Sequence, residues 1–361
     1  MKHNNLDCSS AWYVQKKVVL RMSKNEKKNQ HYVPKCYLRN FTDGEKYIST
    51  FIHSKSKYIP KASLDSVVSE DYFYGKDLYI ENMFQEYEGY WAAAFRVIIE
   101  NEELSSEDAA VVLDFILTFI AFQHCRTLRV YDSQIDFANF MKQYIRDTSA
   151  PEMDVESFLN TYIPPDFNPM IAPIDAGFKI KEVFMDLSLL IIENNTLDNF
   201  ITSDNPVVLY NRFLAEREFK GNYGLNSKGL CVFLPVSPKI CFCLFDPKIY
   251  FSTNNDHIYN IGEYELYELN KLFCRNAYEY IFFTKLHDED YARKLDGFFV
   301  DNLETKTGLV QSNIGPIIHM KGASILETYQ LPFLTTKKSV KKMAIPQYGP
   351  APTRSIRKLK D

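Results

Sequence analysis

Ala109-Ala110-Val111-Val112-Leu113-Asp114-Phe115-Ile116-Leu117-Thr118-Phe119-Ile120-Ala121-Phe122 runs straight into Gln123-His124-Cys125-Arg126-Thr127-Leu128-Arg129. At helical spacing the first segment is apolar nearly all the way round, which predicts a helix buried on most sides. It is no membrane span, because the apolar run falls short of the ~20 residues needed and carries Asp114. Ser105, with Asp108 three residues on, predicts a capped start. The pattern continues, with room for a break, through Phe137 and Phe140 to about Ile145. Where the apolar run stops, Gln, His and two Arg follow in quick succession. A buried helix that delivers such groups to its end must partner them, since an unpaired buried polar group costs roughly 1–3 kcal/mol.

Upstream, Leu78 to Asn101 has helical periodicity in Ile80, Met83, Phe84, Tyr87, Trp91, Phe95, Ile98 and Ile99. Glu81 and Glu88 lie on one face of it, Glu88 beside the Tyr87–Trp91 ridge. Pro34 suits the first turn of a short helix carrying Tyr37, Leu38 and Phe41, with His31 just before it. Lys46 to Phe51 reads as a strand. Residues 149–169 hold four Pro and read as a long connection, the place for a lobe boundary. Beyond them the chain changes character. Asp186 to Glu193, the two arms of Phe200–Tyr210, the two halves of Gly229–Phe245, and Tyr280–Phe283 read as strands, and Tyr264–Ala277 as a helix. The fold class expected is α+β: a helical N-terminal half packed on a mainly antiparallel β-sheet formed largely by the C-terminal half.

The chain has 361 residues, 46% of them hydrophobic, enough for a well-buried core. Its net charge of −4 hides an asymmetry: residues 1–30 carry +5, residues 335–361 carry +7, and the body between them −16. An acidic body is not the footprint of a large nucleic-acid groove, which wants clustered positive charge. The expected organisation is a flexible basic extension over 1–29, one α+β domain over 30–335 and a basic disordered tail over 336–361. Met22-Ser23-Lys24 reads as a natural start, with residues 1–21 an upstream extension. Residues 1–21 also lack the apolar core of a signal peptide. Seven Cys without paired spacing point to reduced thiols and a cytoplasmic setting, with no membrane partner. Cys241-Phe242-Cys243 reads as two small thiols on one face of a strand.

No phosphate loop, Gly-x-Gly-x-x-Gly, His-Glu-x-x-His or Gly-x-Ser-x-Gly occurs. What remains is a series of polar residues in apolar or tight contexts. They are His31-Tyr32-Val33-Pro34 with Tyr37-Leu38-Arg39-Asn40-Phe41; Glu88; Gln123-x-x-Arg126-Thr127; Phe200-Ile201-Thr202-Ser203-Asp204-Asn205-Pro206-Val207; Pro235-x-Ser237-Pro238; and Asn270 with Asn276-Ala277 before Tyr280-Ile281-Phe282. In this order, over about residues 30–285, they resemble the mostly bacterial family of unknown function DUF4238. Val236 departs from the Leu more usual there. The resemblance implies a shared fold and carries no activity with it.

Each candidate has a functional and a structural reading. His31 suits a general acid or base, or a helix cap or buried hydrogen bond. Gln123 and Arg126 share a helix face. Arg126 suits an anion clamp, or a pair with Glu88 across packed helices. Asp204 and Asn205 before Pro206 suit a site, or a turn closed by their own side chains. His124 points elsewhere and reads as a packed or surface residue. Two functions follow. In the first, His31, Glu88, Gln123, Arg126 and Asp204 converge in a nuclease-like hydrolase, a toxin or phage-defence effector acting on RNA or DNA. That site works without a cofactor, or holds a single divalent metal through His31, Glu88 and Asp204. In the second, the same residues form a structural core network in a non-catalytic binding or regulatory module.

Overall fold

The computed structural model describes residues 28–42, 44, 46–253, 257–299, 307–312, 315–320 and 324–355. The chain opens with β1 (Asn29–His31), a short helix α1 (Lys35–Leu38) continued by a 3-10 turn (Arg39–Phe41), and strands β2 (Tyr47–Ile52), β3 (Lys57–Ser63) and β4 (Ser69–Asp71). Helices follow: α2 (Tyr79–Ile99), α3 (Ser106–Cys125), α4 (Leu128–Thr148), α5 (Val155–Tyr162) and α6 (Ile171–Phe184). The second half is mostly strand: β5 (Ser188–Asn194), β6 (Thr202–Ser203), β7 (Val208–Tyr210), the turn helix α7 (Arg212–Ala215), β8 (Cys231–Ser237), β9 (Ile240–Phe245), β10 (Tyr250–Ser252) and β11 (Ile258–Ile261). After α8 (Glu263–Asn276) come β12 (Tyr280–Phe283), α9 (Glu289–Asp296), β13 (Thr307–Ser312), β14 (Gly315–Met320), β15 (Leu334–Thr336) and α10 (Lys338–Lys341).

This is an α+β fold. A five-stranded sheet, in order β11-β5-β9-β8-β7, is antiparallel except for the parallel pair β11–β5. Every residue of β8 is buried, which matches its unbroken apolar run and central place. A second, antiparallel sheet, β3-β2-β12-β6, joins strands of the first seventy residues to strands of the second half. Cys241 and Cys243 are buried in β9, and the described cysteines are all free thiols.

The helical half is held by aromatic rings. Trp91 and Phe95 of α2 meet Phe119 of α3 edge-on at 5.2 and 4.9 Å, and Tyr37 of α1 reaches the same ring at 5.4 Å. Such pairs add about 0.5–1.5 kcal/mol each beyond the area they bury. Ser105 caps α3, its Oγ accepting from the Asp108 amide. The expected break falls at Arg126-Thr127, where Thr127 caps α4. Burial is more uneven than the apolar run implies. Ile116 through Cys125 enter the core, apart from the partly buried His124, whereas Val111 and Leu113 are exposed. The cause is tertiary: α6 packs along α3 but leaves its first turns in solvent. Against the core half of α3, Gly177 sits so close that an added Cβ would lie 2.6 Å from the Phe122 ring. Gly177→Ala is therefore expected to cost about 1–3 kcal/mol by overpacking, seen as a lowered urea midpoint at unchanged slope.

Three boundary expectations are corrected. Residues 149–169 contain a true helix, α5, capped by Asp154. The extension ends earlier than Asn29, which begins β1, while Lys28 pairs with Asp71 at 2.7 Å. The expected disordered tail is packed as far as it is described. Lys337 Nζ donates to the Pro247 carbonyl at 2.6 Å, Arg217 Nη2 donates to Val340 O and Lys341 O, and Thr353 bridges Ser227. Arg354 is buried and donates to Val183 O and Leu225 O at 2.8 and 2.9 Å. Main-chain carbonyls left open at the ends of other elements are what bind it, and composition does not register them. Residues 1–27 and 356–361, including the expected start at Met22, lie outside the described residues.

Candidate functional site

The site is built on one kink in the chain. β1 pairs with β4 and ends at His31; the Tyr32 amide still donates to Val68 O, and Pro34 then holds extended backbone (φ −66°, ψ 141°) before α1 begins. The carbonyls of His31 and Tyr32 are therefore left outside any ladder or helix. The end of α3 supplies their donors. Gln123 Nε2 donates to Tyr32 O at 3.0 Å; Arg126 Nε reaches the same oxygen at 3.5 Å; Arg126 Nη2 donates to His31 O at 3.2 Å and to Glu88 Oε1 at 3.1 Å. Tyr74 OH also donates to His31 O at 3.0 Å.

Arg126 is 0% exposed, and its guanidinium carbon stands 4.1 Å from the Phe84 ring centre, with Trp91 and Tyr74 at 5.7 and 5.8 Å. Burial alone would weaken its proton affinity, but Tyr74 and Glu88 more than offset that, so the group stays charged. Glu88 keeps a third of its side chain in solvent, which lowers the desolvation cost of the pair. His31 turns the other way: its Nε2–H donates to Leu64 O at 2.9 Å. Burial pushes its pKa down to about 4, with Lys35 and Arg126 acting in the same sense, so the ring is neutral near pH 7.

Asp204 belongs to a different assembly. Its Oδ1 accepts from the Tyr278 amide at 2.9 Å, and its Oδ2 from the Glu279 and Tyr280 amides at 2.8 and 3.1 Å. Burial raises its pKa to about 6 despite these three donors. Beside it Asn205 and Asn276 exchange side-chain amides for each other's carbonyls at 3.0 and 2.7 Å. Asn270 accepts from the Ile201 amide and donates to Asn199 O. Tyr37 OH donates to Pro235 O at 2.6 Å and Asn40 to Val236 O at 3.1 Å, which ties α1 to the end of β8.

The structure thus brings His31, Glu88, Gln123 and Arg126 together around the kink and seats Asp204 on the turn before β12. Asp204 makes its hydrogen bonds to main-chain amides rather than to Arg126, while its charge is felt at Tyr32 of the kink. His31, Glu88 and Asp204 do not form a ligand set either; no group of three His, Cys, Asp or Glu able to hold a metal occurs among the described residues. Sequence reading counted Arg129 among the polar groups that need partners without singling it out, and passed over Arg275 and Tyr278. The signal was present for Arg129, three residues after Arg126 on the same run. It also passed over His287, whose Nε2 lies 2.5 Å from Asp198 Oδ1 while Tyr291 stacks on its ring at 4.3 Å.

A family model described as "Protein of unknown function (DUF4238)" matches residues 29–287. No curated protein and no solved structure matches the chain.

Proposed function

Since the chain belongs to the DUF4238 family, and its signature residues here bind main chain, we propose that it is a non-catalytic binding or regulatory module. In this reading the polar signature is a structural network that fixes the kink at residues 31–34, the turn after β6 and the end of β8. The observation that carries it is Arg126. Its guanidinium is fully buried and boxed by three aromatic rings, its Nε and Nη2 are given to His31 O, Tyr32 O and Glu88, and only Nη1 is left without a partner, inside the box. A nuclease-like hydrolase acting on RNA or DNA needs that group, or an equivalent one, in contact with the scissile phosphate. His31, neutral and donating its Nε2–H to Leu64 O, is likewise committed. The free thiols of the described cysteines support a cytoplasmic setting.

The test is incubation of the full chain with single- and double-stranded RNA and DNA, with magnesium, with manganese and with chelator. His31→Gln, which keeps an N–H for Leu64 O, is run beside it. No cleavage attributable to the protein is expected. Cleavage by the wild type that a folded His31→Gln variant loses would overturn the reading and restore His31 as a general base.

A further inference from the structure

Arg126 Nη1 is buried without a hydrogen-bond partner inside its aromatic box, and so are three more guanidinium nitrogens on the Tyr278 side of the corner between α3 and α4. These three are Nε and Nη2 of Arg129 and Nη1 of Arg275. Arg129 is the second residue of α4, so it adds a cation to the positive end of that helix dipole. Its guanidinium carbon lies 5.7 Å from the centre of the Tyr278 ring. Tyr278 is held there by the hydrogen bond its main-chain N–H donates to Asp204 Oδ1, and Arg275 precedes Asn276 of the Asn205–Asn276 exchange. Burial pushes the Arg129 pKa down to about 10; the charge of Asp204 and the phenol of Tyr278 act against this, and Arg275 is close enough to add repulsion.

The neighbouring carboxylates give their hydrogen-bonding oxygens to other groups, although the Asp204 charge still favours the Arg129 cation. Both oxygens of Asp204 face the 278–280 amides, Asp132 Oδ2 accepts from Tyr278 OH at 2.7 Å, and Glu327 Oε1 takes the Nε of Arg275 at 3.0 Å. His124, also beside Arg129, is pushed down to about 4 by burial and adds no charge. Glu327 and Asp204 offset the two charges, but the three buried donors stay open, a costly arrangement unless an acceptor completes it.

We propose that this corner is a phosphate-binding site. The Nε/Nη2 edge of Arg129 grips two oxygens side-on, the bidentate geometry that distinguishes Arg from Lys, and Arg275 Nη1 takes a third. Three open donors suit the three terminal oxygens of a phosphate or phosphate monoester better than the two of a carboxylate. The site deepens the reading of the chain as a binding module and rests on it, giving that module a ligand class.

The experiment uses the full chain in phosphate-free buffer, titrated calorimetrically and followed by thermal melts. The probes are inorganic phosphate, phenyl phosphate, acetate and sodium chloride at matched ionic strength. Saturable binding of at least one phosphate probe is expected, with a raised Tm that acetate and chloride do not reproduce. Tighter binding of phenyl phosphate assigns the group to a larger molecule, tighter binding of inorganic phosphate to the free ion. Arg129→Gln and Arg275→Gln each weaken binding at least tenfold. Arg129→Met gives an independent readout: removing a buried cation with open donors raises the Tm without phosphate and abolishes the phosphate response. An Arg serving only the fold would lower it. A phosphate response no larger than that of chloride, or one unchanged in both Gln variants, would overturn the proposal. Nucleic-acid cleavage would remove the binding-module reading and leave a positive phosphate titration standing; a flat titration without cleavage would do the opposite.

Discussion

Arg126→Ala is expected to lower stability by about 3–5 kcal/mol, a large share of the roughly 5–15 kcal/mol that holds a typical domain together. Two losses combine. The box of Phe84, Trp91 and Tyr74 is left as a cavity, and truncating a large buried side chain costs about 2–5 kcal/mol on that account. The charge-assisted bond to Glu88 goes too, although Glu88 is exposed enough to find water. The carbonyls are partly insured: His31 O retains Tyr74 OH and Tyr32 O retains Gln123. Arg126→Met in a Glu88→Gln background refills the box without a lone charge, and is expected to recover more than half of the loss. Urea denaturation measures both. A cost below about 1 kcal/mol for the alanine variant would show that this pair does not hold the kink.

Asp204→Ala should cost a comparable amount, about 3–4 kcal/mol near pH 5, because three amides of the 278–280 turn lose their acceptor together. The cost depends on pH, and the sign follows from the raised pKa. An acid whose pKa is about 6 when folded and 3.8 when unfolded holds its proton more tightly in the folded state. Stability therefore falls as pH rises from about 4 to about 6, by an amount on the order of 3 kcal/mol, and levels off above. His31 and His124 act in the opposite sense. Their folded pKa values near 4 make the protein gain stability as pH rises from about 4 towards 6.5. The wild-type profile is the balance of these slopes. Asp204→Asn removes the falling one, so its stability should climb more steeply between pH 4 and 6 than that of the wild type. Denaturation midpoints at half-unit pH steps decide this; parallel profiles would rule out a raised carboxyl at position 204.

Much of the frame was legible because it is local. The periodicity of α2, the Ser105 cap, the break at Thr127 and the two apolar runs that meet near Pro238 all depend on neighbours within a few residues. Gln123 and Arg126, a turn apart below an apolar helix, were legible as a pair in need of partners. What they bind was not, because two carbonyls about ninety residues upstream are exposed by a kink that pattern does not register. The joining of β2 to β12 and the exposure of the first turns of α3 are long-range packing outcomes of the same kind. Arg129 was legible as one of the polar groups after the apolar run but not as a site, because an Arg at a helix start looks like an ordinary surface residue. Only three-dimensional accounting of its donors sets it apart.

The last described stretch of chain carries a consequence for the order in which the protein can be made. Arg354 donates to the carbonyl of Val183, at the end of α6, across 171 positions of sequence. At roughly 5–20 residues per second of synthesis, that carbonyl waits on the order of 10–30 s for its partner. Until then α6 has an open end, and β10 lacks its only paired neighbour among the described strands, β15. The nascent chain is thus an unfinished body whose final latch arrives last. Its most vulnerable interval falls during translation, before the residue that locks it has been added.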